Sequence, residues 1–349
     1  MGRLLRTIGS SLFLLILLLR GPAMAENIDH GYFVNIYTTG SIWTLRNNDI
    51  YVRENTDVRY ATYNTDITTA MRNGANSMSL LFVPLTAYNE ETKTMEYELS
   101  DNVVIEIEIV RTDFVTQARE VIHAVSLEYD SQIDGFRSLA TIPSGQDRVM
   151  SSPNMRTVGD YRLSEMQPGQ VTFKSGETAG GYRIDFDYFV TSEDIPPFVW
   201  EGEATPLVDT PELRQELLRA YQGLHTQIAA GNSEAIFDAA EPVWARAAYL
   251  LTTREDARSF ANAPDGTGLA DRYVAKRPDG SILQPLHFWE GPQTAGLQFM
   301  ADNHLVRFRP DPIAWENPAG GNLSYHEFPV VFYRTAAGEW KIGAITVGQ

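Results

Sequence analysis

The sequence predicts two folded parts: an antiparallel β-sandwich, then a smaller α+β domain in which helices precede a curved antiparallel sheet. Three observations lead there. Between residue 26 and about residue 205, short runs rich in Val, Ile, Tyr and Phe alternate with clusters of Asn, Asp, Gly and Pro, the pattern of a sandwich. From Thr210 the apolar residues repeat with helical rather than strand spacing. After "APDGTG" the strand pattern returns, and helices followed by antiparallel strands is an α+β order.

The first 25 residues stand apart. Arg3 and Arg6 precede an apolar run of 12 residues, Ile8 to Leu19, and Ala23-Met24-Ala25 is an A-x-A site before Glu26. This is a three-part secretory signal, and the run is too short to cross a bilayer comfortably. Cleavage after Ala25 and a periplasmic or secreted location are expected. The chain has no cysteine, which excludes lipid attachment at a signal cysteine, disulfide support, thiol catalysis and cysteine-held zinc or iron–sulfur clusters. No later segment is long and apolar enough to be expected to span a membrane.

Residues 26–205 form the predicted sandwich domain, with strands at "YFVNIY", "DIYVRE", "MSLLFVPL", "VVIEIEIV", "IHAVSLEY" and "YRIDFDYFV". Turns are expected at Asn47-Asn48-Asp49, Asn73-Gly74, Pro143-Ser144-Gly145, Pro168-Gly169 and Gly180-Gly181. Val103, Ile105, Ile107 and Ile109 alternate with Glu106 and Glu108, which places the isoleucines on a core and the glutamates in water. "EDIPPFVWEGEATPLVDTPE" reads as a linker, with Phe198 and Trp200 docking one domain on the other. Residues 206–349 form the second domain. Thr210 is a suitable N-cap with Pro211 behind it, and Leu213, Leu217, Leu224 and Ile228 share a face before Gly231 ends the helix. Ser233 is expected to cap a second helix carrying Ile236, Phe237, Trp244 and Leu251. Thr253 is expected to open a short third one, with Asp256 in a capping-box position. The strands "QPLHFWE", "GLQFM", "HLVRFR", "FPVVFYR" and "WKIGAITV" follow.

Two resemblances sharpen this outline. "DIYVREN…DITTAMRNGANSMSLLF" resembles a pattern of galactose-binding-like jelly-roll domains: Asp66-Ile67-Thr68, then the Gly74-Ala75-Asn76 turn, then alternating Met78, Leu80 and Phe82. Arg53-Glu54 stand where that family has Asn-Gly. The order of elements after Thr210 is similar to the cone-shaped nuclear-transport-factor-like fold, which implies a sheet curved around helices and a pocket between them.

The whole chain has a net charge of −17; the first 25 residues contain three arginines and no acid, so the remainder stands at −20. Residues 26–205 hold 13 Lys/Arg and 28 Asp/Glu, a net of −15. Such a surface repels nucleic acid and favours basic partners. Glu90, Glu91, Glu106 and Glu108 are the predicted partner-facing acids. No H-E-x-x-H helix, Walker loop, dinucleotide loop or G-x-S-x-G elbow is found. No metal or cofactor is assigned, although Asp130, Asp134, Asp185 and Asp187 could supply oxygen donors to calcium. A ligand pocket is expected from "LHFWEGPQ" and "IAWENPAGGNLSYHEF", with His287, Trp289, Glu290, Trp315, Asn317, Tyr325 and His326 as its candidate residues, because rings beside polar groups suit a small ligand or a partner's side chain. The expectation is an exported, non-enzymatic binding protein that engages another protein in the bacterial periplasm, in an inhibitor or immunity role. The alternatives are a carbohydrate-binding module acting on envelope glycan, and an enzyme using His287 or His326 as base.

Overall fold

The β-rich half of the sequence becomes two stacked sheets. A computed structural model describes residues 29–56, 60–84, 87–89, 91, 94–96, 99–138, 160–172, 178–191, 195–251, 256–262, 294–316 and 325–346. The strands are β1 His30–Thr39, β2 Ser41–Asn47, β3 Ile50–Asn55, β4 Tyr60–Asp66, β5 Gly74–Pro84, β8 Val104–Asp113, β9 Arg119–Asp130, β10 Gly135–Ser138, β11 Arg162–Thr172 and β12 Thr178–Val190. One sheet has the order β10-β9-β8-β1-β4 and the other β11-β12-β5-β2-β3. A separate two-stranded ribbon, β6 Ala87–Asn89 with β7 Thr94–Glu96, lies between β5 and β8 in sequence. Every strand pairing in the sandwich is antiparallel. Val34, Ile36, Ile105, Ile107, Ile109, Val125 and Leu127 of the first sheet meet Trp43, Leu45, Met78, Leu80, Phe82, Ile184 and Phe186 of the second.

Two turn expectations change. Pro168-Gly169 lies inside β11, where the register shifts between Met166 and Val171, so the pair produces an irregularity rather than a reversal. Gly180 and Gly181 lie inside β12. Gly181 has φ 149°, and a Cβ there would stand 2.3 Å from the Phe82 carbonyl oxygen, so this glycine marks a close backbone approach.

Glu106 and Glu108 are corrected more substantially. Both are 0 % exposed. They lie on the face of β8 opposite the isoleucine core, beside Asn35, Tyr37, Ala124 and Ser126, all buried. β8 is the middle strand of its sheet, and its polar face is buried as well as its apolar one. The row is a polar layer, in which Asn64 Nδ2 donates to Asn35 Oδ1 at 2.6 Å and Asn35 Nδ2 donates to Glu108 Oε2 at 2.8 Å.

The α+β region opens with helix α1, Pro211–Ala229, followed by α2, Ser233–Leu251, and α3, Ala257–Asn262. Thr210 caps α1 by accepting from the Leu213 N–H at 3.1 Å. The second cap is Asn232, whose Oδ1 accepts from Ala235 N, and the third is Asp256, which accepts from Ser259 N. Ser233, expected as the second cap, is instead the first helical residue, and the Asn232 carboxamide before it takes the capping role. Thr253 lies outside the described residues. Strands β13 Gly296–Met300, β14 Leu305–Arg309, β17 Val330–Arg334 and β18 Trp340–Ile345 form a sheet in that order. A short pair, β15 Ala314–Glu316 with β16 Tyr325–Glu327, stands beside it. One sheet face, with Val306, Phe308, Val330, Phe332 and Ile342, packs on Leu217, Tyr221, Leu224, Ile236 and Trp244 of the helices.

The opposite face of that sheet meets the sandwich. Ile50, Phe198, Met300, Leu305, Val331 and Tyr333 form a third apolar cluster, with Trp200 against it. Phe198 and Trp200 stack 5.4 Å apart and 9° from parallel, as their linker role requires. The linker itself is pinned: Thr205 N donates to Arg334 O and Leu207 N to Asn303 O. This contact also protects β3, the edge strand of its sheet, from pairing with another chain.

Candidate functional site

A groove of about 1010 Å3 lies in the α+β region. Helices α1 and α2 supply small side chains to it: Ala220 and Gly223 from one, Ala235 and Ala239 from the other. Spacings of three and four place each pair on one helical face. A Cβ added at Gly223 would find nothing within 4 Å. Pro242 also lines the groove and lies inside α2. Proline has no N–H, so the Asp238 carbonyl loses its intrahelical donor, and Asp238 is itself a groove residue.

The hairpin of β17 and β18 supplies the opposite wall, with Arg334 and Lys341, while Glu203 comes from the linker and Glu216 and Arg219 from α1. Glu203 accepts from Tyr333 Oη and from Lys341 Nζ, both at 3.1 Å. Those two hydrogen bonds, the lysine's first, hold its carboxyl below the usual range. Tyr333 is pushed up to about 12, by burial and then by the bond to Glu203, so its hydroxyl remains a donor at neutral pH. Glu216 sits 3.3 Å from Arg334 Nη2 and accepts from Trp340 Nε1 at 3.4 Å. Arg219 lines the same groove with no ion pair among the described residues. The groove thus offers apolar close approach along its helices and paired charges of both signs at its rim.

The residues predicted from sequence are placed differently. His287, Trp289, Glu290, Asn317 and Glu90 lie outside the described residues. Trp315 pairs with His326, and Glu316 with Tyr325, across β15 and β16. Glu91 is exposed in a turn. Asp185 accepts from Ser79 and Arg183, Asp187 pairs with Arg162, Asp130 with Arg137, and Asp134 accepts from Tyr129. Among the described residues no group of three His, Asp or Glu could hold a metal ion. The small residues of α1 and α2 and the proline at 242 are the available sequence signals for the groove; Arg334, Trp340 and Lys341 come from a distant hairpin and leave no local signature.

A second charged cluster ties the two halves together. Arg307 and Arg309, on β14, are 1 % and 2 % exposed and lie 4.6 and 5.0 Å from the Tyr51 ring. Arg309 stands 3.5 Å from both Glu54 and Asp311. Arg307 donates to Gln298 and Thr346, each at 2.7 Å, and burial, with Arg309 adjacent, lowers its pKa. Two cations and two carboxylates balance, so this cluster reads as a weld between β3 and β14 rather than an anion site.

No protein-family model matches the chain, and no curated protein matches it either. Among the described residues, no helix is long and apolar enough to cross a membrane.

Proposed function

We propose that the protein is an exported, non-enzymatic binding protein of the bacterial periplasm, and that it holds an extended segment of a partner protein in the groove between α1, α2 and the β17–β18 hairpin. Export rests on the three-part signal ending at Ala25. The groove is the observation on which the binding role rests. Small side chains at 220, 223, 235 and 239 let a polypeptide backbone come close, and the Asp238 carbonyl, without its helical donor, is an acceptor for a backbone N–H of that segment. At the rim Glu203 pairs with Lys341 and Glu216 with Arg334, which suits recognition of charged side chains rather than proton transfer. An inhibitor or immunity role fits export and the acidity of the chain.

The half-buried Trp340, beside Glu216, Arg219 and Gln227, favours a second reading, in which envelope glycan stacks on the indole. A photo-crosslinking residue at Gly223 or Ala239 separates the two. On the first reading, crosslinking in cells joins the chain to one envelope protein from both positions and not from Glu241, an exposed α2 residue outside the groove. Equal labelling from Glu241, or no protein adduct at all, refutes it. Retention on oligosaccharide that is lost with Trp340→Ala would establish the glycan reading instead.

A further inference from the structure

A smaller cavity lies where the sandwich meets the helices, apart from the groove. It measures about 150 Å3. Ile50 and Val52 of β3, Ile67, Phe198, Val243 and Ala247 make its wall mainly apolar. Two charged residues also line it. Arg246 spends its guanidinium on the backbone carbonyls of Thr69, Met71, Pro196 and Pro197. Asp66 accepts from the Thr68 N–H at 2.7 Å and keeps an exposed edge. Trp244 differs from both: it lines the cavity, is 2 % exposed, and its indole Nε1 has no hydrogen-bond partner among the described residues.

We infer that this cavity is a binding site for a small, non-anionic molecule with one ring and one hydrogen-bond acceptor, the ring filling the apolar volume and the acceptor taking the Trp244 N–H. Size and lining set the first half of the statement, since an apolar cavity of about 150 Å3 accepts a single benzene-sized ring. The indole sets the second half, because buried donors in folded proteins are almost always paired. An anionic ligand is excluded, because Arg246, the one cation among the lining residues, already spends its guanidinium on backbone carbonyls and leaves nothing to offset desolvation. The wall is drawn from β3, the linker and α2 together, so the occupant would bridge the two halves of the molecule.

The test uses the full chain with acetophenone as probe and toluene as the ring without an acceptor. The indole resonance of Trp244 is assigned by its loss in Trp244→Phe. Acetophenone is expected to raise the melting temperature and to move the Trp244 indole N–H resonance. Toluene is expected to bind about tenfold more weakly, the loss of one buried hydrogen bond, and to leave that N–H almost in place. Ala247→Leu, and independently Ala247→Phe, fill the cavity and should weaken acetophenone at least about tenfold. Gly223→Trp, which blocks the groove, should leave acetophenone binding unchanged. Equal affinity for toluene, a stationary Trp244 resonance at saturation, or undiminished binding in a folded Ala247→Leu protein would each overturn the inference.

Discussion

Replacing Arg246 with alanine tests how the two halves are joined. Arg246 lies on α2, donates to four backbone carbonyls, two in the turn after β4 and two in the linker, and its guanidinium stands 4.5 Å from the Phe198 ring. Burial lowers its pKa to about 10, so it is still charged at neutral pH. A hydrogen bond from a charged donor contributes about 1.5–3 kcal/mol. One guanidinium serves all four carbonyls, and neighbouring contributions are not additive. Counting two such bonds at the low end gives a cost of about 3 kcal/mol for Arg246→Ala. Arg246→Lys keeps the charge without the planar fork and should lose about half as much. Urea unfolding followed at the helical circular dichroism band, with hydrogen exchange read on β5, reports the helices and the sandwich separately. In wild type the two should report one transition; in Arg246→Ala the helical band should melt first. A loss below about 1 kcal/mol, within the range of an ordinary surface change, would refute this reasoning, as would a lysine variant as stable as wild type.

Two further outcomes follow from buried polar groups in the sandwich. Glu108→Lys places an ammonium in the buried layer beside Asn35 and should cost about 3–5 kcal/mol, read as a large fall in melting temperature; an unchanged melting temperature would show that the layer opens to water. His123 stacks on Phe186 with centroids 4.3 Å apart, and its Nε2 has no hydrogen-bond partner among the described residues. Burial lowers its pKa, with Asp160 and Asp187 opposing in part. The unfolded chain therefore takes up the proton first, and stability is lost as pH falls below about 6.5, down to the lowered value in the fold. His123→Phe should flatten that part of the pH dependence of the urea midpoint; an identical slope in variant and wild type would rule it out.

The order of elements was legible because it rests on local patterns. Strand alternation in β1, β5 and β12, the Thr210-Pro211 start of α1 and the helical spacing of Leu213, Leu217 and Leu224 need no knowledge of distant residues. The cap of α2 is Asn232 rather than the expected Ser233, because Ser, Thr, Asn and Asp all cap and only backbone geometry selects among neighbours. The candidate site was less legible. Ala220, Gly223, Ala239 and Pro242 are visible as small or helix-breaking residues, but Arg334, Trp340 and Lys341 are brought to them by the sheet and Glu203 by the linker.

The sequence by itself determined the fold class, the sandwich followed by a smaller α+β region, because periodicity and turn chemistry are properties of neighbouring residues. It also determined the absence of every chemistry that requires cysteine. Only the tertiary structure decided which polar residues face water. An alternating Ile-Glu strand reads the same whether its polar face is solvated or covered, and only the fold shows Glu106 and Glu108 buried in a polar layer with Asn35 and Ser126. The same holds for Arg246, Arg307 and Arg309: a sequence displays their charge, but the carbonyls, carboxylates and rings that make it tolerable to bury come from strands and loops far along the chain.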